Sequence, residues 1–367
     1  MRNALVKVVV RSLTLVLVAA CGGTTTTTTT TTTSAPKPIA TAAGQLHTIP
    51  LPGAPEGGVF LDYLAYDSAH HKVWIPAGGT GRVDVIDTTT GKLTSVEGFP
   101  TKEMERNGKK RQFGPTSATV GDGMVYVGNR GDSTICPMDA TTLAKQDCVT
   151  LDAMPDGIQY VASTKEVWVT TPRDRSILIL DVARPGHPVV KPEKMSFDGE
   201  PEGFAVDNKR GVFFTNLEDK DKTLVIDLKT HATLHTWDPK CGEDGPKGLI
   251  FDDATDHLIV VCPASIETLD VAHDGALLST LSVGDGLDAI DYIPASHLVF
   301  AAAGKAEKMV VASLGADGSL VAVATVPTAR GARNAVASED GTAYVADGPE
   351  GTILIVPPQA GARGVTR

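Results

Sequence analysis

Residues 200–237 read EPEGFAVDNKRGVFFTNLEDKDKTLVIDLKTHATLHTW, and this stretch decides the architecture. It holds four short apolar runs: GFAV, GVFFTN, KTLVIDL and ATLHTW. Polar turn-formers at 207–211, 218–221 and 229–230 separate them. Apolar runs of this length between turn signals, rich in Val, Phe, Thr and Ile, predict β-strands rather than helices. Four in succession predict one antiparallel meander. A lone meander leaves its apolar faces open to water, so it requires neighbours of its own kind.

The rest of the chain supplies them. Seven segments share one plan: an inner run, a turn, a YVxN-like run, then a run ending near Asp and Gly-Lys or Thr. Their inner runs fall at 61–66, 116–120, 156–160, inside the opening stretch, and at 247–251, 288–292 and 333–337. The spacing is about 40 to 46 residues with one longer step, the period of a four-stranded propeller blade. The seventh segment stops after its third run, at Val356-Pro357-Pro358, while residues 45–51 (QLHTIPL) stand alone before the first. The predicted fold is therefore an all-β, seven-bladed β-propeller of four-stranded antiparallel blades. The N-terminal strand at about 45–51 completes the last blade, closes the ring and removes two exposed edges.

The runs VYVGN at 125–129, VFFTN at 212–216 and TLVIDLKT at 223–230 resemble the YVTN-type (YncE-like) seven-bladed propeller repeats, common in exported bacterial and archaeal proteins. The resemblance covers roughly residues 45–358. It implies the fold more than a function, because that family and related propellers include surface proteins, haem domains, lactonases and quinoprotein-like dehydrogenases.

Residues 1–20 read as an export signal. Arg2, Lys7 and Arg11 form a positive n-region, and residues 12–20 (SLTLVLVAA) form a short apolar core. Val18-Ala19-Ala20-Cys21 resembles the lipobox of bacterial lipoproteins, which makes Cys21 the expected lipid attachment site and first mature residue. Each buried methylene contributes roughly 0.8 kcal/mol, so several acyl chains anchor firmly. The threonine tract at 24–33 offers no apolar surface to offset ordering entropy, so residues 21–44 form an expected tether. The expected order is signal 1–20, lipidated cysteine and tether 21–44, propeller 45–358 and tail 359–367. An exported, membrane-anchored protein follows from this order, facing the periplasm or the surface if the cell has an outer membrane, a sorting that Gly22 permits.

The net charge of −11 excludes a general nucleic-acid-binding surface and a polybasic membrane surface, so nucleic acid is not an expected partner. Four cysteines remain beyond Cys21. Cys136 and Cys148 flank a predicted hairpin, while Cys241 and Cys262 return to the same end of blade five. Disulfides persist outside the cytoplasm, so the expected bridges are Cys136–Cys148 and Cys241–Cys262. No CxxC or CxxCH occurs, which argues against zinc and c-type haem.

Superposing the repeats places one residue per blade at a single channel mouth: Asp62, Thr116, Asp156, Glu202, Lys247, Asp288 and Arg333. These are the candidate binding residues. Converging carboxylates raise one another's pKa or hold a cation, and oxygen donors such as Asp62, Asp156, Glu202 and Asp288 suit Ca²⁺ or Mg²⁺. The plainer reading is a solvated rim in which Lys247 and Arg333 balance their neighbours, and no cofactor is expected. Asn129, Asn216 and Asn334 invite comparison with lactonase-type metal sites, but the amide of a YVxN run more often satisfies a local turn.

The longest insertion, FPTKEMERNGKKRQFG at 99–114, joins blades one and two at the same mouth. Its Lys102, Arg106, Lys109, Lys110 and Arg111 form a dense basic patch in an acidic protein. A loop of this length is more often functional than a plain connection, and here it is expected to meet an anionic partner. The histidines do not assemble into a site, and no GxSxG, P-loop or HExxH is present. Two functions follow. The first is a non-catalytic, envelope-anchored binding module whose partner is a cell-envelope protein or polymer. The alternative is a propeller enzyme, a metal-assisted lactone hydrolase or lyase, that uses the Asp/Glu ring.

Overall fold

The apolar runs of residues 200–237 form four strands, Pro201–Asp207, Val212–Leu217, Lys222–Asp227 and Thr233–Trp237, paired in sequence order as one antiparallel sheet. A computed structural model describes residues 46–106 and 108–359, and the side chains of Arg106 and Lys109 are excepted. The expected signal, Cys21, the threonine tether, Gln45 and residues 360–367 lie outside the described residues.

Within this range the chain makes seven such four-stranded sheets and one extra two-stranded hairpin. Blade two, for example, runs Pro115–Gly121, Met124–Asn129, Thr134–Asp139 and Val149–Thr150. Second strands are covered on both faces by adjoining blades. Met124–Asn129, Glu166–Thr171, Val212–Leu217 and Leu298–Ala303 are accordingly buried at every position. Outer strands meet water, and Thr233–Trp237 is buried only at Trp237. The two-residue period of a strand sends alternate side chains to opposite neighbours. Val167 and Val169 thus pack with blade two and Trp168 with blade four. The result, among the described residues, is seven apolar clusters, each shared between two adjacent blades.

The ring closes as expected. His47–Pro50 pairs antiparallel with Thr352–Val356, with Thr48 opposite Leu354, so the two ends of the propeller share blade seven. Both disulfides form, Cys136–Cys148 and Cys241–Cys262. Turns between third and fourth strands explain the recurring Asp before Thr. The Asp227 carboxylate accepts the Lys229 and Thr230 N–H groups at 3.0 and 2.7 Å, an Asx turn repeated at Asp87 and Asp139.

Two local expectations change. The insertion is a β-hairpin, Lys102–Arg106 with Lys109–Phe113, rather than an irregular loop. The inner strand of blade one is only Ala65–Asp67. The preceding segment leans on blade two instead, where Tyr63 donates its N–H to Thr116 at 3.0 Å and accepts from Ala118 at 3.1 Å.

Candidate functional site

Inner strands enter the ring at one mouth, and small residues let them crowd there. Gly157 follows Asp156 and Gly203 follows Glu202. A Cβ on Gly203 would stand 1.9 Å from the Lys247 carbonyl oxygen, and one on Gly157 would stand 2.2 Å from the Phe204 ring. The Asp-Gly and Glu-Gly pairs therefore serve close approach of neighbouring blades, and each sets a carboxylate beside the contact. In blades two, four and seven the strand register shifts here, between Pro115 and Ser117, Pro201 and Phe204, and Arg333 and Ala335. Irregularities of this kind re-aim a side chain relative to regular pairing.

Asp62, Asp156, Glu202, Lys247, Asp288 and Arg333 consequently line one cavity of about 730 Å³. Thr116, the seventh ring position, does not. It is fully buried within its blade, and its carbonyl takes the Tyr63 N–H. The cavity wall holds nine acidic and six basic side chains, so charge of both signs meets there.

Much of that charge is already paired. Arg130, buried at the end of the blade-two second strand, reaches Asp62 at 2.8 Å and also contacts Asp156. Its guanidinium lies 5.0 Å from the Phe60 ring centroid, and its Nε donates to the Pro155 carbonyl at 3.3 Å. Arg333 pairs with Asp288 at 3.1 Å. Lys247 pairs with Glu218. Asn334, at φ 60°, donates to the Asp62 carbonyl at 3.0 Å and to the Asp288 carboxylate at 3.3 Å, and accepts the Ala289 N–H at 2.9 Å. Burial raises the Asp288 carboxyl above the ordinary aspartate value; Arg333 opposes that shift and Asp62 adds to it. Burial likewise lowers the Lys247 ammonium, against the pull of Asp288, while Glu218 lies against it and favours the charged form.

The other two asparagines are engaged internally. Asn129 donates to the Pro100 carbonyl at 3.0 Å and accepts the Gly131 N–H at 3.0 Å. Asn216 donates to the Lys247 carbonyl at 2.6 Å and accepts from Thr223 at 2.7 Å. These amides tie second strands to blade connections. They do not offer oxygens to a shared ion. A Ca²⁺ or Mg²⁺ cage needs several oxygens within reach of one point. Among the described residues, the one group of three acidic, Cys or His ligand atoms lying within 4.8 Å of one another is Cys241, Cys262 and Glu267, and that cysteine pair is the disulfide. The ring carboxylates form no such group; Asp62, Asp156 and Asp288 turn to Arg130 and Arg333 instead.

The basic hairpin stands beside the mouth. Arg111 lines the charged cavity, and Lys110 and Arg111 line a neighbouring hollow of about 660 Å³ against Gly57, Gly58 and Arg333. Lys102, Lys110 and Arg111 are exposed, and Lys110 pairs with Glu103 at 2.8 Å. The strands of the expected Arg106 and Lys109 are placed, but their side chains lie outside the described residues. His257 opens the blade-five second strand and is buried.

Below the charged mouth the channel continues through a cavity of about 170 Å³ to a second opening of about 530 Å³. Tyr63, Phe204 and Asp291 line both. The Tyr63 and Phe204 rings stack at 5.5 Å between centroids. Asp291 accepts the Ala337 N–H at 2.6 Å and the Tyr292 N–H at 2.9 Å, and burial pushes its carboxyl up to about 6 against those two hydrogen bonds.

Sequence reasoning missed Arg130, Glu218 and Asp291. Arg130 had one signal: a cation directly after VYVGN, where the matching run VFFTN is followed by Leu217.

No protein-family model and no curated protein sequence matches the chain. Solved structures do. Virginiamycin B lyase from Staphylococcus aureus is 14% identical, with a TM-score of 0.63 over 85% of this chain and 98% of that one. The hydrazine synthase of Kuenenia stuttgartiensis is 14% identical, with a TM-score of 0.66 over 83% of this chain and 96% of that one. U3-55K is 12% identical, with a TM-score of 0.67 over 85% of this chain and 98% of that one. Proteins so different in name and so distant in sequence share the architecture alone: this chain is a seven-bladed β-propeller.

Proposed function

We propose that the protein is an exported, lipid-anchored propeller that binds a cell-envelope protein through its charged channel mouth, with Cys21 as the anchor. The observation that carries this reading is the pairing of the mouth charges. Arg130 holds Asp62 and Asp156, and Arg333 holds Asp288. Carboxylates locked to guanidiniums are held in fixed positions with part of their acceptor capacity occupied, which suits recognition better than proton transfer. The same pairing makes a rigid surface of alternating sign, which selects a partner of matching pattern and steers its approach. The basic hairpin extends that surface with Lys102, Lys110 and Arg111, and an acidic strip on the partner is its complement. Two disulfides support an oxidising compartment.

The rival, metal-assisted hydrolysis or elimination at the Asp/Glu ring, has less support, since Asp62, Asp156 and Asp288 already have cationic partners. A thermal-shift titration with Ca²⁺, Mg²⁺ and chelator tests it, and a metal-dependent rise in Tm at the mouth would favour the enzyme.

The binding reading is tested by photo-crosslinking in intact cells. A crosslinking residue at Glu202 or Lys305, both lining the mouth, is expected to give one discrete protein adduct. One at Leu234, exposed on an outer strand, is expected to give none. Reversing Lys110 and Arg111 to Glu should weaken the mouth adduct roughly tenfold or less, with steeper loss in low salt. Adducts indifferent to placement would remove the proposal. Loss of membrane association in Cys21→Ala tests the anchor separately.

A further inference from the structure

The opening opposite the charged mouth has a different chemistry. Its wall of about 530 Å³ includes Tyr63, Tyr66, Phe204 and Tyr292, together with Asp291 and Glu339. Among the described residues no lysine, arginine or histidine lines it, and none lines the cavity just above it. Asp291 sits where those two cavities meet. Among the described residues its hydrogen-bond donors are the N–H groups of Tyr292 and Ala337, one on each carboxylate oxygen. A carboxylate has about four acceptor positions, so two remain for a donor arriving along the channel. The stacked pair of Tyr63 and Phe204 adds aromatic faces beside it.

We propose that this far opening is a binding site for a small organic ammonium compound, with Asp291 taking the charged nitrogen and the Tyr63–Phe204 pair packing its apolar body. Three features select this class. The volume lies in the range of small-molecule sites, and the wall is apolar and aromatic with few polar groups. Aromatic faces attract organic cations most strongly where water is excluded. An inorganic divalent ion requires six or more oxygens, whereas an ammonium group is satisfied by a carboxylate and a few acceptors. An anionic ligand would meet Asp291 and Glu339 with no cation to offset them. The site is separate from the charged mouth, so it stands or falls independently of any partner there.

The test is isothermal titration calorimetry on the disulfide-intact protein at neutral pH with three probes of one shape: phenethylammonium, 2-phenylethanol and 3-phenylpropionate. Phenethylammonium should bind at least about tenfold tighter than the neutral alcohol, the usual margin of a charge-assisted hydrogen bond, and the carboxylate should not bind. Asp291→Asn should bring the ammonium down to the alcohol's affinity. Phe204→Leu should weaken both together, and Glu202→Gln at the other mouth should change neither. If Asp291→Asn does not fold, nuclear Overhauser contacts from the probe to the Tyr63 and Phe204 rings of the wild-type protein answer the same question. Equal binding of amine and alcohol, a preference that survives Asp291→Asn, contacts elsewhere, or no binding of any probe would each overturn the proposal.

Discussion

The two mouths of the channel are built from opposite ends of the same inner strands, yet they hold charge in opposite ways. At one mouth, carboxylates from blades one, three and six meet guanidiniums from blades two and seven, and Arg130 alone serves two of them. At the other, Asp291 shares a wall with aromatic rings and, among the described residues, takes its hydrogen bonds from backbone N–H groups. Burial acts on both sides, but a nearby cation opposes it at the first mouth and, among the described residues, none does at the second. One end thus ties three of its acids to fixed guanidiniums and presents a patterned rim. The other keeps an unmatched negative charge within an apolar wall.

The largest test of that contrast is Arg130→Ala. Removing the shared partner leaves Asp62 and Asp156 buried without compensation, and a loss of about 3–5 kcal/mol in urea unfolding is expected. A loss under about 1 kcal/mol would mean that the triad is not buried in solution. Next comes Gly203→Ala, whose methyl group would collide with the Lys247 carbonyl between blades four and five. Overpacking of this kind costs roughly 1–3 kcal/mol, readable as a lower denaturation midpoint at unchanged slope. Smallest is the pH response of the unmatched acid. Asp291 has its carboxyl raised to about 6, so the folded state holds that proton more tightly than the unfolded chain does. Its contribution favours folding at pH 4 and is lost as the pH rises through 6. The stability difference between Asp291→Asn and wild type should therefore change in favour of the variant by up to about 2 kcal/mol between pH 4 and 7.5. A flat difference would place a hidden cation at the far mouth and erase the contrast.

Several of these features were visible beforehand in particular residues. Position in a repeat translates directly into position in a ring, which is why six residues chosen by repeat alignment surround one cavity. Thr116 is the exception: it is fully buried within its blade, where its carbonyl takes the Tyr63 N–H, a cross-blade contact that no alignment shows. The disulfides were legible since both pairs span short hairpin-like segments, with separations of 12 and 21. Arg130 and Asn334 were not, because their partners are remote: Asn334 bonds Asp62 across a separation of 272 residues. The basic insertion was read as a loop because its polar sequence carries no apolar alternation, whereas pairing with itself is enough to make it a hairpin.

The sequence by itself determined the number of blades, the four-strand unit and the way the ring closes. Those follow from hydrophobic periodicity and turn chemistry, which act between residues close along the chain. Only the tertiary structure decided which charges neutralise one another and which stay unmatched. Coulomb interaction depends on distance through space, and that distance is set by the curvature of the ring, which no local pattern encodes.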